Sequence, residues 1–447
     1  MNTLPLTDEQ IDHRKAALHQ LLWRIHFWAG LIATPIMLFA ALTGLLYVFT
    51  PQIEAWRHAV VDHVAVTGPA LPLDAQLTAA QADQPHGKPR FIVPAHRPGE
   101  TTQVFFDLHH HSGAAAEHDH GLPQGRIVYV NPYTAQVVGN LHEMERFQTW
   151  AKKLHSSALQ GDGWRWLTEL GASWMLVMFA TGLMLWWPHS QAAGGPGWCA
   201  LVPRLGQGRQ TWRDLHTVLA IAMCGVLGVV LVTGLTWAKY SGENFRILQQ
   251  ALDQGAPRFP KSLSSIAPQG QTPMSLQAAF EHARRVAPDI SMSLSPPGKA
   301  TGVWRIENFD RTQPTKRFRL ALDAYSGKVL FFSDWEQLPL LSKATTVGIP
   351  FHRTELGVWN QVLLGLAALT VMFSVISGWV MWWKRRPRGR LGAPMTTLRH
   401  MREAPWWLWL TAIALSIALP VFGASVAVFA AIESLRLLLS RRDTAAA

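Results

Sequence analysis

Two cysteines, Cys199 and Cys224, are all that the 447 residues contain, and only 15% of the residues are charged. The first shortage leaves little to staple an exported domain. Cys199 falls in a loop and Cys224 inside an apolar run, so a domain outside a membrane must fold on core packing alone. The second shortage, beside 49% hydrophobic residues, is unusual for a soluble chain. Catalytic signatures are missing too: there is no dinucleotide-binding glycine fingerprint, phosphate loop, nucleophile triad or meaningfully spaced carboxylate pair. No small-x-small cleavage site follows Thr50, so the first apolar run reads as a retained helix rather than a signal peptide.

Long apolar runs are what the chain does have. Residues 27–49, 166–187, 218–237 and 358–383 each approach the roughly 20 residues that cross a bilayer as a helix. A fifth run, 406–432, is divided by Pro420, which fits one kinked helix or a shorter interfacial element. Lys384, Arg385, Arg386, Arg388, Arg390, Arg399 and Arg402 crowd the loop after the fourth run, and positive loops stay in the cytoplasm. Counting back places residues 1–27 inside, a span at 28–50, an external segment at 51–165, a span at 166–187 and an inside loop at 188–214. A third span at 215–238, a second external segment at 239–357 and a fourth span at 358–383 follow. The basic loop 384–404, a fifth span at 405–435 and a tail at 436–447 complete the chain, although Arg436, Arg441 and Arg442 suit an outside tail poorly. Much of the net charge of +11 is therefore juxtamembrane, which points to membrane lipid and not to nucleic acid as a partner. Tryptophans gather at the ends of the runs, as an interfacial belt would.

The histidines follow a pattern. His26 opens the first run and is followed by Thr43-Gly44-Leu45; His216 opens the third and is followed at the same distance by Thr233-Gly234-Leu235. Steps of four and three from each give His26, Gly30, Ala33, Met37, Ala40, Gly44 and His216, Ala220, Met223, Leu227, Val230, Gly234, one helical face apiece. Both faces start with a possible metal ligand and continue with small residues that admit a flat cofactor or another helix. The second and fourth runs match as well, Thr181-Gly182 through Trp186-Trp187 against Ser377-Gly378 through Trp382-Trp383, with His155 and His352 upstream. Gly161-Asp162-Gly163 separates His155 from its run, which predicts a juxtamembrane turn there, and His142 competes for the same role.

The external segments repeat too. Residues 127–137 and 318–329 each read as strand, turn opened by Asn or Asp, and strand, and residues 275–286 read as a helix before the second copy. The fold class expected is an α-helical membrane bundle of four core helices plus a fifth, with two external α+β domains and an internal tandem duplication. Such halves pack about a pseudo-twofold axis, here along the membrane normal, pairing His26 with His216 near the inner face and His155 with His352 near the outer. The tract holding His109, His110, His111, His118 and His120 is a candidate metal sink. Its Ser-Gly-Ala interruption also reads as a loop between two strands with loose metal affinity.

Together these motifs resemble the PepSY-associated transmembrane family, whose members include bacterial inner-membrane ferric-siderophore reductases. The resemblance covers about residues 12–390. It implies two b-type haems within the helix bundle, His26, His216, His155 and His352 as iron ligands, and electron transfer across the membrane to a ferric siderophore outside. Histidine at lipid depth calls for a partner, and two imidazoles on one iron leave no open position. Ferric ion is hard and ferrous ion softer, so one electron loosens the grip of oxygen donors. The inside loops are too short for a flavin domain, which makes the donor a separate cytoplasmic flavin protein or a membrane quinol. Three rivals stay open: a haem conduit to another acceptor, a siderophore permease, and a regulatory module without a cofactor.

Overall fold

The computed structural model describes residues 8–107, 122–192, 202–206, 208–389, 392 and 404–445. In chain order the elements are α1 (Asp8–Val48), α2 (Thr50–Arg57), α3 (Ala59–Asp62), α4 (Leu73–Asp83), β1 (Lys88–Val93), β2 (Thr102–Asp107), β3 (Arg126–Val130) and β4 (Val137–His142). Then come α5 (Phe147–Ser157), α6 (Arg165–Ala192), α7 (Arg209–Ala222), α8 (Cys224–Leu235), α9 (Tyr240–Ala251) and α10 (Leu276–Val286). The last are β5 (Met292–Ser295), β6 (Val303–Asn308), β7 (Phe318–Asp323), β8 (Val329–Asp334), α11 (Leu340–His352), α12 (Val358–Arg385), α13 (Trp406–Ala418) and α14 (Pro420–Ala445). They form two compact units, one of Met1–Leu45, Gly163–Leu248 and Val362–Ala447, the other of Leu46–Asp162 and Gln249–Gln361.

The first unit is helical. Lys15–Val48, Asp162–Trp187 and Val358–Arg385 are long and apolar enough to cross a membrane; α7 and α8 make a fourth crossing if counted together, but they bend by 64°. The apolar pattern predicts one continuous helix there, with His216 to Gly234 on a single face. Met223 leaves the helical path instead, and Gly225 and Gly228 just beyond it hold a helix weakly. Ala33, Met37 and Ala41 of α1 pack with Leu227 of α8 and with Ala367, Val371 and Val375 of α12, flanked by Met175, Met178 and Phe179 of α6. Small residues bring the backbones close: a Cβ on Gly171 would stand 2.5 Å from the Ile36 side chain. The run after residue 405, expected as one kinked or interfacial helix, is two helices, because Pro420 has no N–H to continue α13. Gly423 turns closely past the Ser416 carbonyl, and the pair packs through Leu419 and Phe422 on Leu235 and Trp174.

The second unit holds both sequence repeats in one sheet rather than in two separate domains. Strand order is β4-β3-β2-β1-β5-β6-β7-β8 and all pairings are antiparallel. The copies join where Ile92 pairs with Leu294, which covers two strand edges that separate domains would expose. Alternate residues along the strands, Val104, Phe106, Val128 and Val130 in one copy and Ile306, Leu320 and Leu322 in the other, face a core closed by Leu73, Ala80, Leu276, Ala279 and Ala283 of α4 and α10. The two helices cap each other. Asp74 accepts the N–H groups of Leu276 (2.9 Å) and Gln277 (3.1 Å), while the Gln277 side chain accepts the Leu73 N–H (3.0 Å).

Both predicted turns are present. Asn131 Oδ1 accepts the Tyr133 N–H at 2.9 Å, and Asp323 Oδ1 accepts those of Tyr325 (3.0 Å) and Ser326 (2.8 Å). Each turn ends on a left-handed residue, Ala135 at φ +53° and Gly327 at φ +70°. At Gly327 a Cβ would also lie 2.5 Å from the His282 ring. Gly327→Ala is expected to destabilise this unit by about 1–3 kcal/mol, whereas Ala135→Gly should leave it unchanged or slightly firmer. Thermal unfolding of the two variants checks the contrast.

Candidate cofactor sites

His26 lies on α1 and His216 on α7, and each imidazole is held through Nδ1 by a hydroxyl on a neighbouring helix. His26 Nδ1 is 3.0 Å from Thr181 Oγ1 on α6, and His216 Nδ1 is 2.9 Å from Ser377 Oγ on α12. The hydroxyl protons are already committed. Thr181 donates to the Val177 carbonyl (2.8 Å) and Ser377 to that of Ser374 (3.1 Å). A hydroxyl has one proton; with it on the helix carbonyl, each hydroxyl oxygen can accept from a histidine protonated at Nδ1. That tautomer leaves the Nε2 lone pair for a metal, the arrangement in which a hydrogen bond at one ring nitrogen orients the other. Gly182 gives His26 room: a Cβ there would approach its Cε1 to 3.3 Å.

His155 and His352 meet in the second unit, with ring centres 6.4 Å apart and planes inclined by 57°. Metal–imidazole bonds of about 2 Å on each side would hold two ring centres roughly 6 Å apart, so the pair has the separation that one shared ion requires. His155 sits inside α5 and not on a turn; the break in the chain comes after it, where Ala158 and Leu159 are left-handed. His352 is the last residue of α11. The competitor His142, at the end of β4, accepts from Arg126 Nη2 at 2.8 Å and belongs to the sheet edge.

A Cβ on Gly30 would stand 3.7 Å from the Met178 methyl, and Gly44 and Gly234 lie within α1 and α8. His109, His110, His111, His118 and His120 lie outside the described residues, as does Cys199. Among the described residues no group of three His, Cys, Asp or Glu side chains could hold a metal ion, while His155 and His352 come together as a pair. Thr181 and Ser377 carry no role in the sequence reading, although both stand at the same place in the matched Thr/Ser-Gly motifs.

Residues 23–385 match the PepSY-associated TM region. With that much of the chain covered, the protein belongs to the PepSY-associated transmembrane family and is a membrane protein. No curated protein matches it.

Proposed function

We propose that the protein is a di-haem reductase of the bacterial inner membrane, with His26 and His216 on one b-type haem and His155 and His352 on the other. The acceptor is a ferric siderophore in the periplasm, and the product is ferrous iron for uptake. The observation that carries this reading is the meeting of His155 with His352, ring centres 6.4 Å apart, together with the matched hydroxyl neighbours at Nδ1 of His26 and His216, which leave Nε2 as the ligand atom of each. When bound, bis-imidazole haem supplies one-electron exchange without an open position for oxygen or substrate. The chain's own task is then to fix ring orientation, shield the cofactor in an apolar interior, and present the chelate. On the same reading the N-terminus is cytoplasmic, residues 51–165 and 239–357 are periplasmic, and the halves arose by duplication, which the matching element order and reciprocal caps of the second unit support. The electron donor is a separate flavin protein or a quinol.

The test is reoxidation. Purified protein, reduced with dithionite and freed of excess reductant, should lose its reduced haem bands on addition of a ferric chelate, with ferrous iron trapped one-for-one by a chromogenic ferrous chelator. Haem that stays reduced in the presence of ferric hydroxamates, catecholates and citrate would contradict the reductase and leave a conduit to another acceptor.

A further inference from the structure

Trp186 carries a donor that its own fold does not use. Its indole Nε1 is buried without a hydrogen-bond partner, and a buried N–H left unmade is costly. Trp186 stands on α6 one helical turn after Gly182, so the two share a face. That face is turned to His26, because a Cβ on Gly182 would stand 3.3 Å from the His26 Cε1. A helical side chain leans over the turn N-terminal to its own Cα. For Trp186 this is the turn of Gly182, which has no side chain to fill it.

Register gives the donor a charged neighbour. Helices α1 and α6 run antiparallel: Cβ atoms on Gly171, Gly30 and Gly182 would meet Ile36 (2.5 Å), Met178 (3.7 Å) and His26 (3.3 Å) in turn. Continued by one turn, the same register sets Trp186 level with Leu22, beside Trp23. There the Arg385 guanidinium, from the end of α12, lies 4.9 Å over the Trp23 ring and 5.7 Å over that of Phe27. Its Nη2 donates to the Gly392 carbonyl at 3.1 Å. Two aromatic rings and a backbone bond thus fix a cation at the level of the buried N–H, one turn along from His26.

Two other tryptophans show the contrast. Trp382 takes the corresponding place after Gly378 in the repeat, and there the Arg386 guanidinium lies 5.2 Å over its ring. Trp28 Nε1 is buried and unpartnered as well. Its ring, however, meets Phe429 of α14 at 6.0 Å, and a step of two residues from His26 puts it on another side of α1.

We propose that Trp186 Nε1 donates to a propionate carboxylate of the haem held by His26 and His216, with Arg385 as the positive charge beside it. The proposal rests on the haem reading. A fixed N–H next to a guanidinium suits an ionised carboxylate, which only accepts, and a hydrogen bond to a charged acceptor is roughly twice as strong as a neutral one. Trp186 is then a positioning residue, steadying the macrocycle and its negative charge. A quinol oxygen would offer the same N–H a neutral acceptor, and the experiment tells the two apart.

Trp186→Phe is purified at full length beside the parent and Trp28→Phe, which loses the same N–H from the other side of α1. Haem per chain, the rate of haem loss to an excess of haem-scavenging apoprotein, and the midpoint potentials are measured. Trp186→Phe should lose one of its two haems about 10-fold faster. The midpoint potential of that haem should fall, because a less compensated carboxylate favours the ferric state. Arg385→Gln should lower the same potential, and Arg385→Lys should keep it. Trp28→Phe should match the parent, and the haem at His155 and His352 reports in every variant that the chain is folded. Parental haem loss and potentials in Trp186→Phe would overturn the proposal and leave the haem reading intact. So would parental haem properties in a Trp186→Phe protein that duroquinol no longer reduces, a result that gives the N–H to a quinol. A parent without haem would overturn the reading and the proposal together.

Discussion

His26→Ala or His216→Ala is expected to remove one of two haems per chain and leave the other, read as a halved pyridine haemochrome yield. The effect is large because alanine deletes a ligand and also strands its anchor: Thr181 or Ser377 keeps its bond to its own helix and has nothing left to accept. The anchors can be tested apart from the ligands. Thr181→Val preserves side-chain shape but removes the acceptor at Nδ1, and loss of such a support typically costs 10–100-fold in metal affinity. The account therefore expects weaker haem retention and a shifted midpoint potential in Thr181→Val and Ser377→Ala, with Thr181→Ser close to the parent. His155→Ala and His352→Ala should instead remove the other haem. Four alanine variants with full haem would show that the ligands are elsewhere.

Glu169→Ala is expected to destabilise the helical unit by about 3 kcal/mol. Glu169 sits on α6 at 2% exposure and accepts the N–H groups of Tyr240 (3.0 Å) and Ser241 (2.8 Å), where α9 begins. The first N–H groups of a helix have no partner within it, and a carboxylate there meets both the vacancy and the helix dipole. Removing it would leave two sheltered donors unmade, each costing about 1–3 kcal/mol. A carboxylate within a membrane-spanning helix invites a proton-transfer role, but here the backbone accounts for both oxygens, so Glu169→Gln should recover part of the stability and normal haem content. Thermal unfolding in detergent measures both variants; an alanine variant melting with the wild type would refute the cap.

The sequence carried the membrane class because apolar runs of spanning length are hard to mistake, and it carried the turns because Asn131 and Asp323 satisfy local backbone donors within a few residues. It did not carry the break at Met223, the separation of α13 from α14 or the merging of both repeats into one sheet. Those depend on backbone approach and on edge strands meeting, neither of which leaves a periodic trace. Repetition singles out His155 and His352, which meet in the structure, and also His26 and His216, which stand equally far from Gly44 and Gly234. Their hydroxyl anchors were in plain view as the residue before Gly182 and Gly378, but only the neighbouring helix gives that position a meaning.

The central claim is that this chain holds two haems between paired histidines. An oxidised-minus-reduced absorption spectrum of the purified full-length protein, with a pyridine haemochrome count per chain, tests it most directly. The account predicts sharp b-type bands and about two haems per chain, as two bis-imidazole sites require. A colourless protein after haem-replete expression would contradict it.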